Sequence, residues 1–475
     1  MKKTVLLALL PVLLWAKDAR LVQPNQVPDS DVLDKVKAQA AAPAIVDPIP
    51  AIAATKKSTA VEMDSQSLLA NPALLKRAMH SVLVRQQIDG IAVILPIYRR
   101  LADADNVLIT YAEALLAHSK GQLAIAINGY RQVIAKQPKM SAARLNLAMA
   151  LYHNHQVMAA RDQFVRLQNE KLPQPIANII KQSIARIDRQ EAWQFAVNFY
   201  YRQEDNINDV PEQQEITYGN NKWVFPEPKK AHGMHIALEA KKRFNLSDTL
   251  YSDLQFNANS DFFWDNHDYD DLSLRAGVGL GYQTATFNAD IQPFVKKRFY
   301  GTNPYSLSTG ANGHINYQLT PHWRLANYWE WSYEHFDNNK FLNGQRRFVS
   351  LSAVYIHNPQ QYWTAGINYY DSGARGDDDS YYRKGAFASW GQEWPKGLSS
   401  NFVLSIGKRD HRGVGFPNIK RSDKEYSADL SLWHRGIHYR GITPRLVWSW
   451  EKTDSNHFLY NKKENKIHIE FSKTF

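Results

Sequence analysis

The sequence predicts an α + β multidomain protein: helical repeats near the N-terminus, then a transmembrane antiparallel β-barrel of about 14 strands. Three observations predict it. The hydrophobic period changes once, from helical to strict alternation, at Trp193. The links between the alternating segments are short and long by turns. The chain opens with an export signal, yet nowhere does it approach the roughly 20 apolar residues of a membrane helix, so insertion has to be by strands.

Composition agrees with that division. At 475 residues, two domains are expected. No cysteine is present, which removes disulfides and thiolate metal sites and is compatible with the periplasm and outer membrane. Aromatic residues reach 12%, with 24 Tyr and 13 Trp, and they crowd into the second half as interfacial girdles would. The net charge of +11 is spread along strands and links. Without a recognition helix, a zinc spacing or a basic stripe, it predicts no nucleic-acid partner. It suits an anionic lipid surface or an acidic client protein.

Residues 1–16 read as a signal peptide. Lys2 and Lys3 precede a short apolar run ending at Trp15, and Ala16 or Ala19 offers the cleavage point. Residues 17–70 are expected to form a disordered periplasmic lead. Pro24, Pro28, Pro43, Pro48 and Pro50, with no aromatic residue, argue against a packed core there.

Residues 71–190 turn helical and repeat. Ala114, Ala126 and Tyr130 recur 34 residues later as Ala148, Ala160 and Phe164, and Pro138 recurs as a shifted Pro173. Small residues let paired helices approach, and the aromatic fills the groove toward the next repeat. The period and these positions resemble the tetratricopeptide repeat. Residues 73–104 fit a degenerate preceding repeat and 174–189 a capping helix. Such an array makes a concave surface suited to peptides or proteins.

The barrel is expected over residues 193–475. Trp193, Phe195, Val197, Phe199 and Tyr201 alternate with Gln194, Ala196, Asn198 and Tyr200, and about thirteen further alternating segments follow. The last carries Ile467, Ile469 and Phe471 in one phase and ends on Phe475, which together resemble the signal that barrel-assembly machinery reads on a closing strand; Lys473 breaks the apolar phase. Short links near 245–248, 319–322, 358–361 and 393–397 alternate with long ones near 203–231, 259–270, 337–345, 371–380, 408–422 and 453–463. Short periplasmic turns and long external loops place both chain ends in the periplasm. A charge facing lipid at mid-depth costs about 2–4 kcal/mol, so Glu330, Arg445 and Glu470, each between apolar neighbours, are expected inside. Loop 203–231 carries Trp223 and Phe225, more apolar surface than an external loop needs, and is expected to act as a plug or to grip a client.

No cofactor, metal site or enzymatic activity is expected. His232 and His235 are three apart on a strand and so face opposite ways, and His153 and His155 fall in a turn expected to face solvent. Asp377, Asp378 and Asp379 lack the spaced ligands of a calcium loop. There is no nucleophile elbow, phosphate loop or dinucleotide fingerprint.

A signal peptide, a short pair of tetratricopeptide-like repeats and a barrel of about 14 strands together resemble the Slam family, the surface lipoprotein assembly modulators of type XI secretion. The resemblance implies an outer-membrane translocator with a periplasmic N-terminal domain. Its client would be a surface lipoprotein or a soluble haem- or metal-acquisition protein. It implies as further partners a periplasmic chaperone, the barrel-assembly machinery and outer-membrane lipid. The repeats would capture the client or its chaperone, and energy would come from client folding outside, from partners or from the assembly machinery. A polysaccharide export channel with tetratricopeptide repeats is the competing reading, and a nutrient porin the third.

Overall fold

The computed structural model describes residues 65–211, 215–218, 221–416 and 418–474. The expected signal peptide, the lead up to residue 64 and the terminal Phe475 lie outside these residues.

Among the described residues eight helices come first: α1 (Ser65–Ala70), α2 (Pro72–Val84), α3 (Ile88–Tyr98), α4 (Asn106–Ser119), α5 (Leu123–Lys136), α6 (Ser141–His153), α7 (Val157–Gln168) and α8 (Gln174–Glu191). The helical part begins earlier than the sequence reading placed it. In α1, Leu68 and Leu69 pack against the helical core, and that apolar contact orders a stretch assigned to the lead. Local signals set the starts. The Asn71 side chain accepts from the Leu74 amide at 3.2 Å with Pro72 next, and Asp105 caps Val107 at 2.7 Å. Ala114, Ala126, Ala148 and Ala160 are buried where helices cross, and Tyr130 and Phe164 fill the grooves between them. The approach of α4 and α5 is close: a Cβ on Gly129 would stand 2.8 Å from that of Ala114. Neighbouring repeats are tied by the Asn146 amide, which donates to the Tyr111 hydroxyl at 2.8 Å in a buried setting.

The rest is a closed antiparallel barrel of fourteen strands, β1 (Gln194–Glu204) and β4 (Ala231–Asn245) through β16 (Lys462–Thr474), with β16 returning to β1. Between β1 and β4, β2 (Glu215–Tyr218) and β3 (Asn221–Val224) form a separate hairpin. Each strand alternates. On β9 (Trp323–Phe336), Trp323, Leu325 and Trp331 are exposed on the outer wall, whereas Tyr328, Glu330 and Ser332 are buried within. Ile367 and Ile467, exposed to 62% and 70%, belong to an apolar coat running round the cylinder. An apolar exterior with serine, asparagine and paired charges inside inverts a water-soluble core, and lipid is the solvent in which it is stable.

The barrel's two ends differ. The turns after β4, β6 (Asp271–Gln283), β8 (Asn303–Gln318), β10 (Gly344–Asn358) and β12 (Tyr381–Glu393) are short. At the opposite end stand the links 205–230, 264–270, 337–343, 373–380, 412–421 and 456–461. Two departures from strict alternation appear. The link between β7 (Phe287–Tyr300) and β8 is only Gly301 and Thr302, whose φ values of 53° and 66° make a tight hairpin turn. The link 435–442 is the long one at the otherwise short end. The helices dock at the short-turn end: Asn245 Nδ2 donates to Glu191 Oε1 at 2.8 Å, and the Ala159 amide to Asp248 Oδ1 at 3.3 Å. Short turns face the periplasm in such barrels, so the helical part belongs on that side of the outer membrane.

Candidate functional site

The inward phase of the strands builds the lumen, and its two sides differ in chemistry. On the inner wall from β9 to β13 (Leu398–His411), Tyr328, Phe348, Tyr370, Tyr381, Phe387 and Val403 pack together into a dry cluster. The sequence reading missed this filling. Beside it lies Arg383, only 1% exposed. Its Nη1 donates to Asn368 Oδ1 at 2.9 Å and its Nε to Glu425 Oε2 at 2.5 Å, while Arg409 Nε reaches the other Glu425 oxygen at 2.9 Å. The guanidinium lies flat on the wall because Gly407 and Gly385 leave room; a Cβ at Gly407 would come within 2.4 Å of Nη2.

The remaining lumen is a polar cavity of about 1380 Å³, with Gln255, Asn257, His314, Asn316, Ser449 and His468 among its lining residues. Its charges are matched across strands. Arg275 Nη1 and the Tyr328 hydroxyl both donate to Glu330 Oε2, at 2.9 and 2.7 Å. Arg243 makes a two-pronged bond to Asp253, at 2.8 Å for each oxygen. Arg445 and Glu470 are register partners on the inward phase of β15 (Thr443–Ser455) and β16. Such pairs leave a hydrophilic wall on this side of the lumen.

At the external mouth, loop residues Asp205, Asn206, Ile207, Asp209 and Val210 line the cavity. Trp223 lies farther along in β3, opposite Ile216 of β2, and Phe225 follows it half-buried. Ile467 and Ile469 project outward from β16, and Phe471 stacks on Phe199 of β1 with ring centres 5.3 Å apart.

The histidines are held singly. His232 Nδ1 is 2.7 Å from Asp265 and His235 Nδ1 is 2.7 Å from Asp261, on opposite faces of β4. Among the described residues no group of three or more potential ligands gathers for a metal.

In the helical part, His118 Nδ1 lies 3.3 Å from the Tyr130 hydroxyl, and its ring meets that of His153 at 6.0 Å. His153 is exposed as expected, whereas His155 is half-buried at the junction with the barrel, a correction to the sequence reading. Burial pushes His118 below the usual imidazole range, and His153 beside it adds to the effect. The His153 residue keeps an exposed side, but its ring packs against His118 and Tyr152, and that desolvation lowers it too; for His155, burial leads, with Arg243 and His153 behind it. A depressed folded-state value means that the unfolded chain binds more protons. Their contribution to stability is therefore full above about pH 6.5, the unfolded histidine value, and is lost as pH falls through the lower folded values. Helical ellipticity of the full-length protein in detergent should melt at a lower temperature at pH 5 than at pH 7.5, and His118→Gln should flatten the difference. Equal melting at both pH values would contradict this.

The sequence profile of the family "Surface lipoprotein assembly modifier" matches residues 193–475, and that of its N-terminal TPR repeats matches residues 61–164. The chain is 35% identical over 426 residues to surface lipoprotein assembly modifier 1 of Neisseria meningitidis, covering 88% of this chain and 86% of the relative. To the protein of that name in Haemophilus influenzae it is 31% identical over 443 residues, 92% of either chain. A more distant relative, the hemophilin secretion modulator of Acinetobacter baumannii, is 19% identical over 455 residues, covering 89% of this chain and 90% of that one. With both halves of the architecture matched in order, the chain belongs to the surface lipoprotein assembly modifier family.

Proposed function

We propose that this protein is an outer-membrane translocator that delivers a client protein from the periplasm to the cell surface. The observation that carries the reading is the pairing of a barrel, apolar outside and polar-lined within, with a helical array docked at its short-turn end. The names of its relatives point to the client: two modify the assembly of surface lipoproteins and one modulates secretion of hemophilin. A surface lipoprotein is the primary client, and a soluble haem-binding protein the second. The repeats, through the surface built on Ala114, Ala126, Tyr130, Ala148, Ala160 and Phe164, receive the client or the chaperone that brings it. Ile467, Ile469, Phe471 and Phe475 present the closing strand to the barrel-assembly machinery, and the loop carrying Trp223 and Phe225 meets the client at the exit.

The role is one of transport rather than catalysis, and the passage is driven by client folding outside or by partners. The test is display of an epitope-tagged surface lipoprotein on intact cells, read by antibody and by protease shaving. Display should require the full chain and fall when residues 65–191 are deleted, while the barrel remains inserted. Equal display with and without the chain would retire the proposal.

A further inference from the structure

One seam of the barrel is unlike the others. Among the described residues, β1 and β16 share five register pairs, Ala196↔Thr474 through Tyr200↔Glu470. Every other neighbouring pair of barrel strands shares eleven or more, for instance β1 with β4 and β15 with β16. The strands do not end where their pairing ends: β1 runs on to Glu204, and β16 starts at Lys462. The same register continued would set Tyr201 against Ile469, Gln203 against Ile467 and Glu204 against Lys466.

Over that outer half, side chains span the gap that a backbone ladder would close. Lys466 Nζ lies 2.9 and 2.7 Å from the two Glu204 oxygens. Lys462 Nζ is 3.2 Å from Asp209 Oδ1, and the Tyr200 ring stacks on His468 with centres 4.2 Å apart. The cavity reaches this seam, since Tyr200–Glu204 and Glu464–His468 are among the residues lining it. The outward neighbours Ile467 and Ile469 show that part of the stretch lies at lipid depth.

An open sheet edge is costly at that depth, where each unsatisfied backbone group loses several kcal/mol unless water or another strand meets it. While the edge is empty, the ties from Lys466 to Glu204 and from Lys462 to Asp209 hold the two strands side by side without a backbone ladder. The cavity of about 1380 Å³ that opens onto this seam has room for an extended segment.

We propose that the outer half of the β1–β16 seam is a docking edge that takes an extended strand of the protein being carried. The strand adds to Tyr201–Glu204 on one side and to Lys466, Ile467 and Ile469 on the other, by main-chain hydrogen bonds that tolerate varied sequences. The charge bridge from Lys466 to Glu204 opens as it enters. This rests on the translocator reading and gives it an exit route between wall and lumen.

The absence of cysteine makes the test clean. The full chain, reconstituted in lipid vesicles, carries a photo-crosslinking residue at Tyr201 or, as control, at Leu404, which is paired on both sides by Ala388 and Ala428. The probe is a labelled peptide copying β16, Lys462–Thr474. Capture at Tyr201 should exceed that at Leu404 roughly tenfold, equivalent to about 1.4 kcal/mol of preference. It should vanish when a disulfide joins Q203C to I467C, return on reduction, and survive a disulfide joining L404C to A428C in the Tyr201 photo-probe protein. Equal capture at the two positions, or capture unchanged by the Q203C–I467C bridge, overturns the docking edge. The lipoprotein display assay fails or succeeds independently, because a chain required for display whose closed seam still displays the client retains the transport function and loses this route.

Discussion

Replacing Arg383 with alanine should destabilise the barrel by about 3 kcal/mol, the lower end of the range for breaking a buried ion pair. The lower end applies because Glu425 keeps Arg409 at 2.9 Å. Asn368 loses its guanidinium partner, and the wall formed by Gly385 and Gly407 is left facing a void. Arg383→Met, which refills part of that space but leaves Glu425 with one cation, should cost less. Arg383→Lys should not rescue fully, since a single ammonium cannot span Asn368 and Glu425 as the flat guanidinium does. The measurement is unfolding in detergent followed by the mobility difference between folded and heated protein on a gel. A change within about 0.5 kcal/mol, the size of an ordinary surface substitution, would show that the wall does not depend on this residue.

The second large effect is expected in the helices. Tyr130→Ala removes a fully buried ring that meets Tyr111 at 6.1 Å and His118 at 6.0 Å, and truncation of a buried aromatic costs about 3–5 kcal/mol. Each helical pair in a repeat array relies on its neighbours, so the loss should spread beyond α4 and α5. Helical ellipticity should melt well below that of the wild type, while the gel mobility of the folded barrel stays unchanged. Client display should fall with the helical signal. Retained display with melted helices would remove the repeats from the delivery route.

The ladder of strands was legible because lipid outside and water inside impose a strict phase on every strand, and Glu330, Arg445 and Glu470 mark the inner phase in the sequence alone. The repeat was legible from Ala114 and Ala148 because small residues at a helix crossing leave little freedom of choice. The aromatic filling was not. On β9, Glu330 puts Tyr328 on the inward face and Trp323 and Trp331 outside, but nothing along one strand says that Tyr328 meets aromatic residues from its neighbours rather than open lumen. The two-residue turn at Gly301 and Thr302 was hidden for a different reason: the flanking strands extend well past the apolar segments that announce them. The short β1–β16 ladder depends on a meeting of the chain's two distant ends, and only the polar run Lys462–Lys466 hints at it. The half-burial of His155 was hidden because it lies where the helices meet the barrel, and the Arg243 charge that acts on it is far along the sequence.

Transport through this protein requires the inversion of the barrel, and strand β5 (Leu250–Phe263) tests that inversion most directly. Single cysteines placed at Leu254, Gln255, Phe256, Asn257, Ala258 and Asn259 in an otherwise cysteine-free chain can be treated in outer membranes with a small, water-soluble maleimide. The cysteines at Gln255, Asn257 and Asn259, which line the cavity, should react, and those at Leu254, Phe256 and Ala258 should be protected by lipid. Uniform labelling, or labelling in the opposite phase, would contradict a water-lined passage through the membrane.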